Sequence, residues 1–297
     1  MAEGKPEFLT VRELAAFLRV KERKVYALAA SGEIPCSRAT GKLIFPRAAV
    51  EAWVSRHSSG APAVARTVER PLVFAGSHDP LLDWALRESR SGLASFFDGS
   101  LDGLARLKGG QAVAAGVHLY EAETEDWNLG HVEDELAGQP VVLLEWAWRE
   151  RGFIVADRNP RKIRTVHDLR GLRFMPRQPE AGTQVLFEAL LEREGVDRAG
   201  IEMILPAARS EADVAVAVSE NKADAGLGLG CIAHQFRLGF APLLRERYDI
   251  VVFRHAYFDP AFQIFIEFCR GDAFRTKAAE LGGYDIGGFG KVHYNGP

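Results

Sequence analysis

Phe8–Val54 reads F-L-T-V-R-E-L-A-A-F-L-R-V-K-E-R-K-V-Y-A-L-A-A-S-G-E-I-P-C-S-R-A-T-G-K-L-I-F-P-R-A-A-V-E-A-W-V. Thr10 and Glu13 stand at the T-x-x-E spacing of a capping box, which satisfies the first free N–H groups of a helix. Leu14, Phe17 and Leu18 follow at helical spacing and predict one apolar stripe. A turn near Arg19–Lys21 leads to a second helix with Val25, Leu28 and Ala29 inward. Arg23, Lys24 and Tyr26 are then left on its outer face. Ser31-Gly32 ends that helix, because glycine takes the left-handed conformation that a helix C-terminus needs. Two short helices joined in this way are a helix-turn-helix, and the second is the one a major groove accepts. Arg38-Ala-Thr-Gly-Lys42 lies between short apolar stretches and reads as a hairpin tip carrying two cations. Phe45-Pro46-Arg47 starts a third helix, with proline in its first turn, where a missing N–H costs nothing.

This order of features resembles the excisionase-type winged helix-turn-helix family, small relatives of the MerR-type DNA-binding domain. The resemblance implies contacts to double-stranded operator DNA by Lys21, Arg23, Lys24, Tyr26, Arg38 and Lys42. Lys21 stands where that family often has a small hydroxyl cap, so the cap of the second helix is expected to be weaker while the cation suits a phosphate contact.

Charge divides the chain at the same place. The whole chain carries −3. Residues 1–7 contribute −1 and residues 8–57 contribute +5, which leaves −7 for residues 58–297. A basic module on an acidic body fits an electrostatic footprint confined to one end. The division expected is residues 8–56 as the DNA-binding domain, 57–70 as a small polar linker, and 71–297 as a ligand-binding domain. No apolar run is long enough for a membrane span, and the first residues lack a signal-peptide core. Cys36, Cys231 and Cys269 are widely spaced, which suggests buried thiols in a reducing cytoplasm.

From Pro71 onward strand and helix signals alternate. Strands are expected at 72–76, 93–97, 112–119, 172–175, 201–205, 225–229 and 248–253. Helices are expected at 80–88, 101–107, 183–194, 211–219, 231–237 and 260–270. Residues 141–148 and 152–156 read as an extended region broken by charges. The alternation predicts an α/β fold with parallel strands. Two groups joined near 148–155 and 240–250 predict two lobes, about 71–150 with 240–297 and about 151–239, with a ligand cleft between them.

Three strand-to-helix corners share one chemistry: Ala75-Gly-Ser-His-Asp-Pro80, Phe97-Asp-Gly-Ser-Leu-Asp-Gly103 and Arg177-Gln-Pro-Glu-Ala-Gly-Thr-Gln184. Each sets a hydroxyl beside glycine at a helix N-terminus, where free N–H groups and the helix dipole suit a small anion. One such corner alone is ordinary capping. Three, with His118 and Arg177 at other strand ends, point to Ser77, Ser100, His118, Arg177, Gly182 and Thr183 as ligand contacts. No metal-ligand spacing frames His118 and His131, and no nucleophile elbow surrounds Ser77-His78-Asp79, so neither a metal site nor a catalytic triad is expected. Gly226-Leu-Gly-Leu-Gly230 has its third glycine misplaced for a dinucleotide loop.

At these corners, and at 99–104, 114–119, 159–160, 168–169, 223–228 and 248–251, the body resembles the periplasmic-binding-protein-like sensor domain, akin to molybdate-binding proteins, found fused to helix-turn-helix domains in bacterial regulators. The resemblance implies a non-enzymatic transcription regulator, working as a homodimer or higher homo-oligomer, whose cleft closes on an anion such as molybdate or tungstate, with no cofactor. Glu180, Ala181 and Gln184 depart from that family's commoner R-Q-x-G-S-G-T-R. The change removes a hydroxyl and a cation and adds a carboxylate, which leaves a small organic metabolite open as the ligand. An enzyme using the cleft as its active site is the alternative of another class.

Overall fold

The computed structural model describes residues 7–37, 41–57 and 70–297. The chain divides into two compact units, Met1–Val68 and Glu69–Pro297.

In the first unit β1 (Phe8–Thr10) leads directly into α1 (Val11–Leu18). The capping box forms as its spacing requires: Thr10 N–H donates to Glu13 at 2.7 Å, and Glu13 N–H donates to the Thr10 hydroxyl at 3.3 Å. Arg19, left-handed at φ 54°, closes the helix. Next comes α2 (Glu22–Ala30), whose Lys21 cap gives no side-chain hydrogen bond. Ser37 and Ile44 then exchange backbone hydrogen bonds at 2.8 and 3.0 Å as the base of a hairpin. β2 (Ile44–Pro46) pairs antiparallel with β1 and feeds α3 (Arg47–His57). Pro46 therefore ends the strand before α3 instead of occupying its first turn. Leu14, Val25, Leu28, Ile34, Phe45 and Val50 make the core. Phe17 does not join the expected stripe. It stays 41% exposed, with the Arg47 guanidinium 5.4 Å from its ring centre, and Ala15 is buried in its place.

The second unit begins with β3 (Val73–Gly76), α4 (Pro80–Glu88), β4 (Ala94–Phe97), α5 (Ser100–Lys108) and β5 (Ala114–Val117). A small hairpin, β6 (Tyr120–Glu121) and β7 (Asp126–Trp127), precedes α6 (Leu129–Glu135). β8 (Val141–Val155) is a single strand of 15 residues. It is followed by β9 (Arg173–Phe174), α7 (Gly182–Arg193), β10 (Glu202–Met203), α8 (Glu211–Ser219), β11 (Ala225–Leu229) and α9 (Gly230–Gln235). β12 (Gly239–Phe253), again 15 residues, returns along β8. Then come α10 (Arg254–Tyr257), α11 (Pro260–Arg270), α12 (Asp272–Leu281), β13 (Tyr284–Asp285) and β14 (Val292–Asn295).

The sheet order is β10-β9-β11-β8-β12-β5-β3-β4, with β13 and β14 also on β8. β3, β4 and β5 are mutually parallel, as are β9, β10 and β11, so the expected parallel pairing holds within each half. β8 and β12 depart from it. They run antiparallel to each other from Gly239↔Val155 to Phe253↔Val141 and carry the sheet from one half to the other. The charged break expected between 148 and 152 is therefore strand interior. One core lies around Phe74, Leu104, Trp146, Ile250 and Phe265. The other half has two, around Phe153, Phe174 and Phe187 on one side and Ile154, Val214 and Ile232 on the other. Cys231 and Cys269 are buried and Cys36 half-buried, all as free thiols.

Candidate ligand cleft and DNA-binding face

In the first unit, burial of Val25, Leu28 and Ala29 turns Arg23, Lys24 and Tyr26 outward on α2, and all three are exposed. Lys21 at the helix start and Lys42 beside the hairpin are exposed as well. Arg38, the other expected wing cation, lies outside the described residues. One apolar face thus anchors the helix while its opposite face presents two cations and an aromatic ring, the arrangement a recognition helix needs.

In the second unit, parallel strands end together, so β3, β4 and β5 deliver Ser77, Ser100 and His118 to one edge. All three are buried. His118 Nδ1 lies 3.0 Å from Glu246 Oε2, and its Nε2 lies 2.8 Å from the Ser77 hydroxyl. A carboxylate only accepts, so Nδ1 carries the proton and Nε2 accepts from Ser77. Burial pushes the imidazole below its ordinary pKa, against the pull of Glu246, which keeps the ring neutral. Ser100 accepts the His118 backbone N–H at 3.2 Å.

The other half brings Gly182 and Thr183 at the start of α7 to the same place. Gly182 is required there by contact: a Cβ on it would sit 2.4 Å from the His118 carbonyl oxygen and 3.0 Å from the Ser100 hydroxyl. Gly99 is as confined, its Cβ position being 2.5 Å from the Glu180 carbonyl oxygen. Leu101 N–H donates to that carbonyl at 3.1 Å, Gln178 donates to the Asp98 carbonyl at 3.3 Å, and Arg209 pairs with Asp98. The facing corners of the two halves are therefore in contact.

What fills the space between them is a set of charges from β8 and β12. Arg149 and Arg151 are two residues apart on β8 and so share a face. Both are fully buried, at 1% and 0% exposure. Arg149 Nη1 donates to Asp79 at 2.7 Å and its Nη2 to Glu246. Arg151 Nη2 donates to Glu246 at 2.6 Å, and its Nη1 to Glu211 at 2.6 Å and Thr183 at 3.0 Å. Asp79 also accepts from Leu82 N–H, capping α4, from Trp146 and from the Tyr284 hydroxyl. Tyr248 donates to the Ser77 carbonyl, and the Arg149 guanidinium sits 4.3 Å over its ring. Burial works to raise the Glu246 carboxyl, yet the two arginines hold it well below the usual carboxylate range. Glu211 is likewise lowered, against burial, by Arg151 and Arg177. Among the described buried side chains here, the Nε atoms of Arg149 and Arg151 have no partner.

The structure thus gathers five of the six expected contacts, Ser77, Ser100, His118, Gly182 and Thr183, around Glu246 and Arg151. Arg177 is turned elsewhere. Its guanidinium donates to Gln178 and to the Ala208 and Arg209 carbonyls, and it lines a groove of about 670 Å³ beside α7 with Pro179, Val185 and Leu205. Sequence reasoning met Asp79 only as a discounted triad candidate and passed over Arg149, Arg151, Glu211, Glu246 and Tyr248. A signal was present: R-E-R occurs at 149–151 and again at 245–247. Antiparallel pairing sets Arg149 against Glu246 and Glu150 against Arg245. Among the described residues, no cluster of His, Cys, Asp and Glu is arranged to hold a metal ion, and no helix is long and apolar enough to cross a membrane.

Comparison with known proteins agrees with both units. Residues 8–58 match the model of a helix-turn-helix domain, and residues 84–270, more than half of the chain, match that of the PBP superfamily domain. The uncharacterized protein YvgK of Bacillus subtilis (strain 168) is 26% identical over 299 residues, covering 95% of this chain and 96% of that protein. A Clostridium pasteurianum protein encoded in the 5′ region of a 2Fe-2S ferredoxin gene is 27% identical over 109 residues, which are 36% of this chain and 96% of that protein. Among solved structures, an ABC-type phosphate transport receptor from Vibrio cholerae aligns with 72% of this chain and 98% of its own at 16% identity and a TM-score of 0.45. A helix-turn-helix domain followed by paired α/β halves joined through two long strands places this chain in the PBP superfamily, to which it belongs.

Proposed function

We propose that this chain is a cytoplasmic DNA-binding transcriptional regulator, acting as a homodimer on a two-fold operator, whose output is set by a small ligand taken between the two α/β halves. The observation that carries the reading is the joining of two surfaces in one polypeptide. One is a helix with Arg23, Lys24 and Tyr26 exposed, and the other is a cleft whose opposed corners supply Ser77, Ser100, His118 and Thr183. The Ser77 hydroxyl, His118 and Glu246 are hydrogen-bonded in series, the order of a nucleophile, its base and an orienting carboxylate, but all three are buried, at 6%, 1% and 0% exposure. Their burial favours binding over catalysis.

An oxyanion such as molybdate or tungstate is one candidate ligand. A small organic metabolite that carries a carboxylate is favoured by the occupancy of the cleft. Asp79, Glu211 and Glu246 already outnumber Arg149 and Arg151 there. A bare dianion would be buried beside an excess of negative charge, which low dielectric makes costly. A ligand that brings one carboxylate, and displaces Glu246 from the guanidiniums, meets no such excess.

Fluorescence anisotropy with the chain's own promoter tests the DNA side. Wild type should bind, and Lys24→Ala should weaken binding; undiminished binding by the variant would refute the assignment of α2 as recognition helix. A thermal-shift screen of molybdate, tungstate, sulfate and small carboxylates tests the other side. A true ligand at 100 times its dissociation constant stabilises by about 2.7 kcal/mol. A shift with molybdate and none with carboxylates would reverse the preference stated here.

A further inference from the structure

The acidic body carries one concentrated patch of opposite sign. Arg158-Asn-Pro-Arg-Lys-Ile-Arg164 has four cations in seven residues and no carboxylate between them. The turn is built, not loose. Asn159 Nδ2 donates to the Ile163 carbonyl at 2.7 Å, and Ile163 N–H donates back to Asn159 Oδ1 at 2.9 Å. Lys162 N–H donates to the Asn159 carbonyl at 2.9 Å. Ile163 is fully buried and anchors the turn, while Arg158, Arg161, Lys162 and Arg164 are exposed around it. Arg158, Asn159 and Lys162 all hold positive φ, at 61°, 47° and 57°, a region that non-glycine residues avoid unless their surroundings impose it.

Ion pairing separates this patch from an ordinary solvated face. Elsewhere in the same half Arg173, Arg198 and Arg209 are each matched to a carboxylate at 3.1 Å or closer. In the turn, Arg158 and Arg161 reach Asp157 and Asp224 only at 3.7 and 3.6 Å. Lys162 and Arg164 pair with no carboxylate among the described residues. Exposed cations that are loosely paired or unpaired on a fixed turn suit an extended array of anions, and duplex DNA presents a charge about every 1.7 Å along its axis. The turn and the helix-turn-helix are parts of one chain joined by the twelve residues 58–69. A link of this kind raises the effective concentration of a shared duplex where it spans the two contacts.

We propose that the Arg158–Arg164 turn is a second DNA contact, holding backbone phosphates of the duplex that α2 reads. The proposal rests on the DNA-binding reading above. Long flexible cations, two loosely paired and two without a carboxylate partner, position DNA without reading bases, so the contact adds affinity and salt sensitivity and leaves sequence preference unchanged.

The test is a set of anisotropy titrations of the full chain with its promoter duplex across a fourfold range of salt. Arg158→Gln/Lys162→Gln/Arg164→Gln is compared with wild type and with Arg87→Gln/Arg270→Gln/Arg275→Gln, which removes the same charge from exposed positions in the other half. Each lost phosphate contact makes the slope of log K against log salt shallower by about 0.9, so three lost contacts change the salt-induced loss of affinity about 40-fold across that range. The turn variant should show this change, with the same preference among DNA sequences, and the control variant should not. Equal slopes for wild type and turn variant would overturn the proposal and leave the patch to an acidic protein surface. Equal changes in both variants would overturn it in favour of a net-charge effect. Failure of wild type to bind DNA at all would overturn the regulator reading along with it. Far-UV circular dichroism and melting temperature, expected to be unchanged at these exposed positions, check the folding of both variants.

Discussion

Replacing Glu246 tests whether the two halves truly seal around their shared charges. In wild type its carboxylate accepts from Arg149, Arg151 and His118, and all four groups are buried. Glu246→Ala removes that acceptor and leaves two guanidiniums short of charge. Removing one member of a buried pair costs about 3–5 kcal/mol. The lower part of that range applies, because Arg149 retains Asp79 and Arg151 retains Glu211 and Thr183. About 3 kcal/mol is a large share of the ~5–15 kcal/mol that holds an ordinary fold. Urea titration followed by far-UV circular dichroism should show the larger unit's midpoint falling with its slope unchanged. The pH dependence carries a sign. The Glu246 carboxyl is held well below its ordinary range, so its contribution is complete above the unfolded value near 4.3 and is lost as pH falls through the folded value. The gap between wild type and variant should therefore narrow in strong acid. A loss under about 1 kcal/mol at pH 7 would mean that water reaches these groups and that the halves do not close on them.

Three further outcomes follow from single residues. Gly182→Ala places a methyl group against the His118 carbonyl, a backbone atom that cannot swing away; it should cost about 1–3 kcal/mol and raise the rate of limited proteolysis, and wild-type resistance would contradict the contact. The buried Asp249 carboxyl is pushed up to about 6 by burial, against Arg247 and Asn128, so stability it confers when protonated is lost as pH rises from about 4 to 6. The stability of wild type relative to Asp249→Asn should accordingly decline by up to about 3 kcal/mol over that interval, and a pH-independent difference would refute the burial. Thr10→Ala should cost about 1 kcal/mol in the smaller unit, read as faster hydrogen exchange at the α1 amides; unchanged exchange would mean that the capping box contributes nothing.

How much of this was legible follows the range of the interactions. Caps are local, so Thr10–Glu13 marked the start of α1, and the helix starts expected at 80 and 211 are also kept, capped in the structure by Asp79 and Ser210. A weaker cap at Lys21 was readable for the same reason, and the structure gives it no side-chain hydrogen bond. The hydroxyl corners were legible because each belongs to its own turn. β8 and β12 were not, because their charged residues look like exposed breaks until a partner about one hundred residues away is supplied. Arg149 meets Glu246 only through strand register. Arg177 is the opposite case: a cation at a strand end suggests a ligand, and only the fold shows that its donors are on the Ala208 and Arg209 carbonyls.

The placement of that pairing bears on how a ligand could be sensed. β8 and β12 are the strands through which the halves join, and the charges that hold the cleft shut stand on these same strands: Arg149 and Arg151 on one, Glu246 on the other. Opening the cleft separates Arg151 from the groups of the far corner, Thr183 and Glu211, or from Glu246. A ligand shifts such an equilibrium only by its difference in affinity for the two states. Driving it from 1:99 to 99:1 takes about 5.5 kcal/mol, and breaking one buried charge pair is worth about 3–5 kcal/mol. A carboxylate that took over the guanidiniums from Glu246 gains pairs of that size while Glu246 loses them, so the shift it commands is the difference between the two. Displacement of Glu246 has a spectroscopic consequence as well: His118 loses its carboxylate partner, so its ring proton resonance should move on ligand binding in wild type and already be displaced in Glu246→Gln without ligand. An unchanged His118 signal in both cases would disconnect the ligand from the Glu246 pairing.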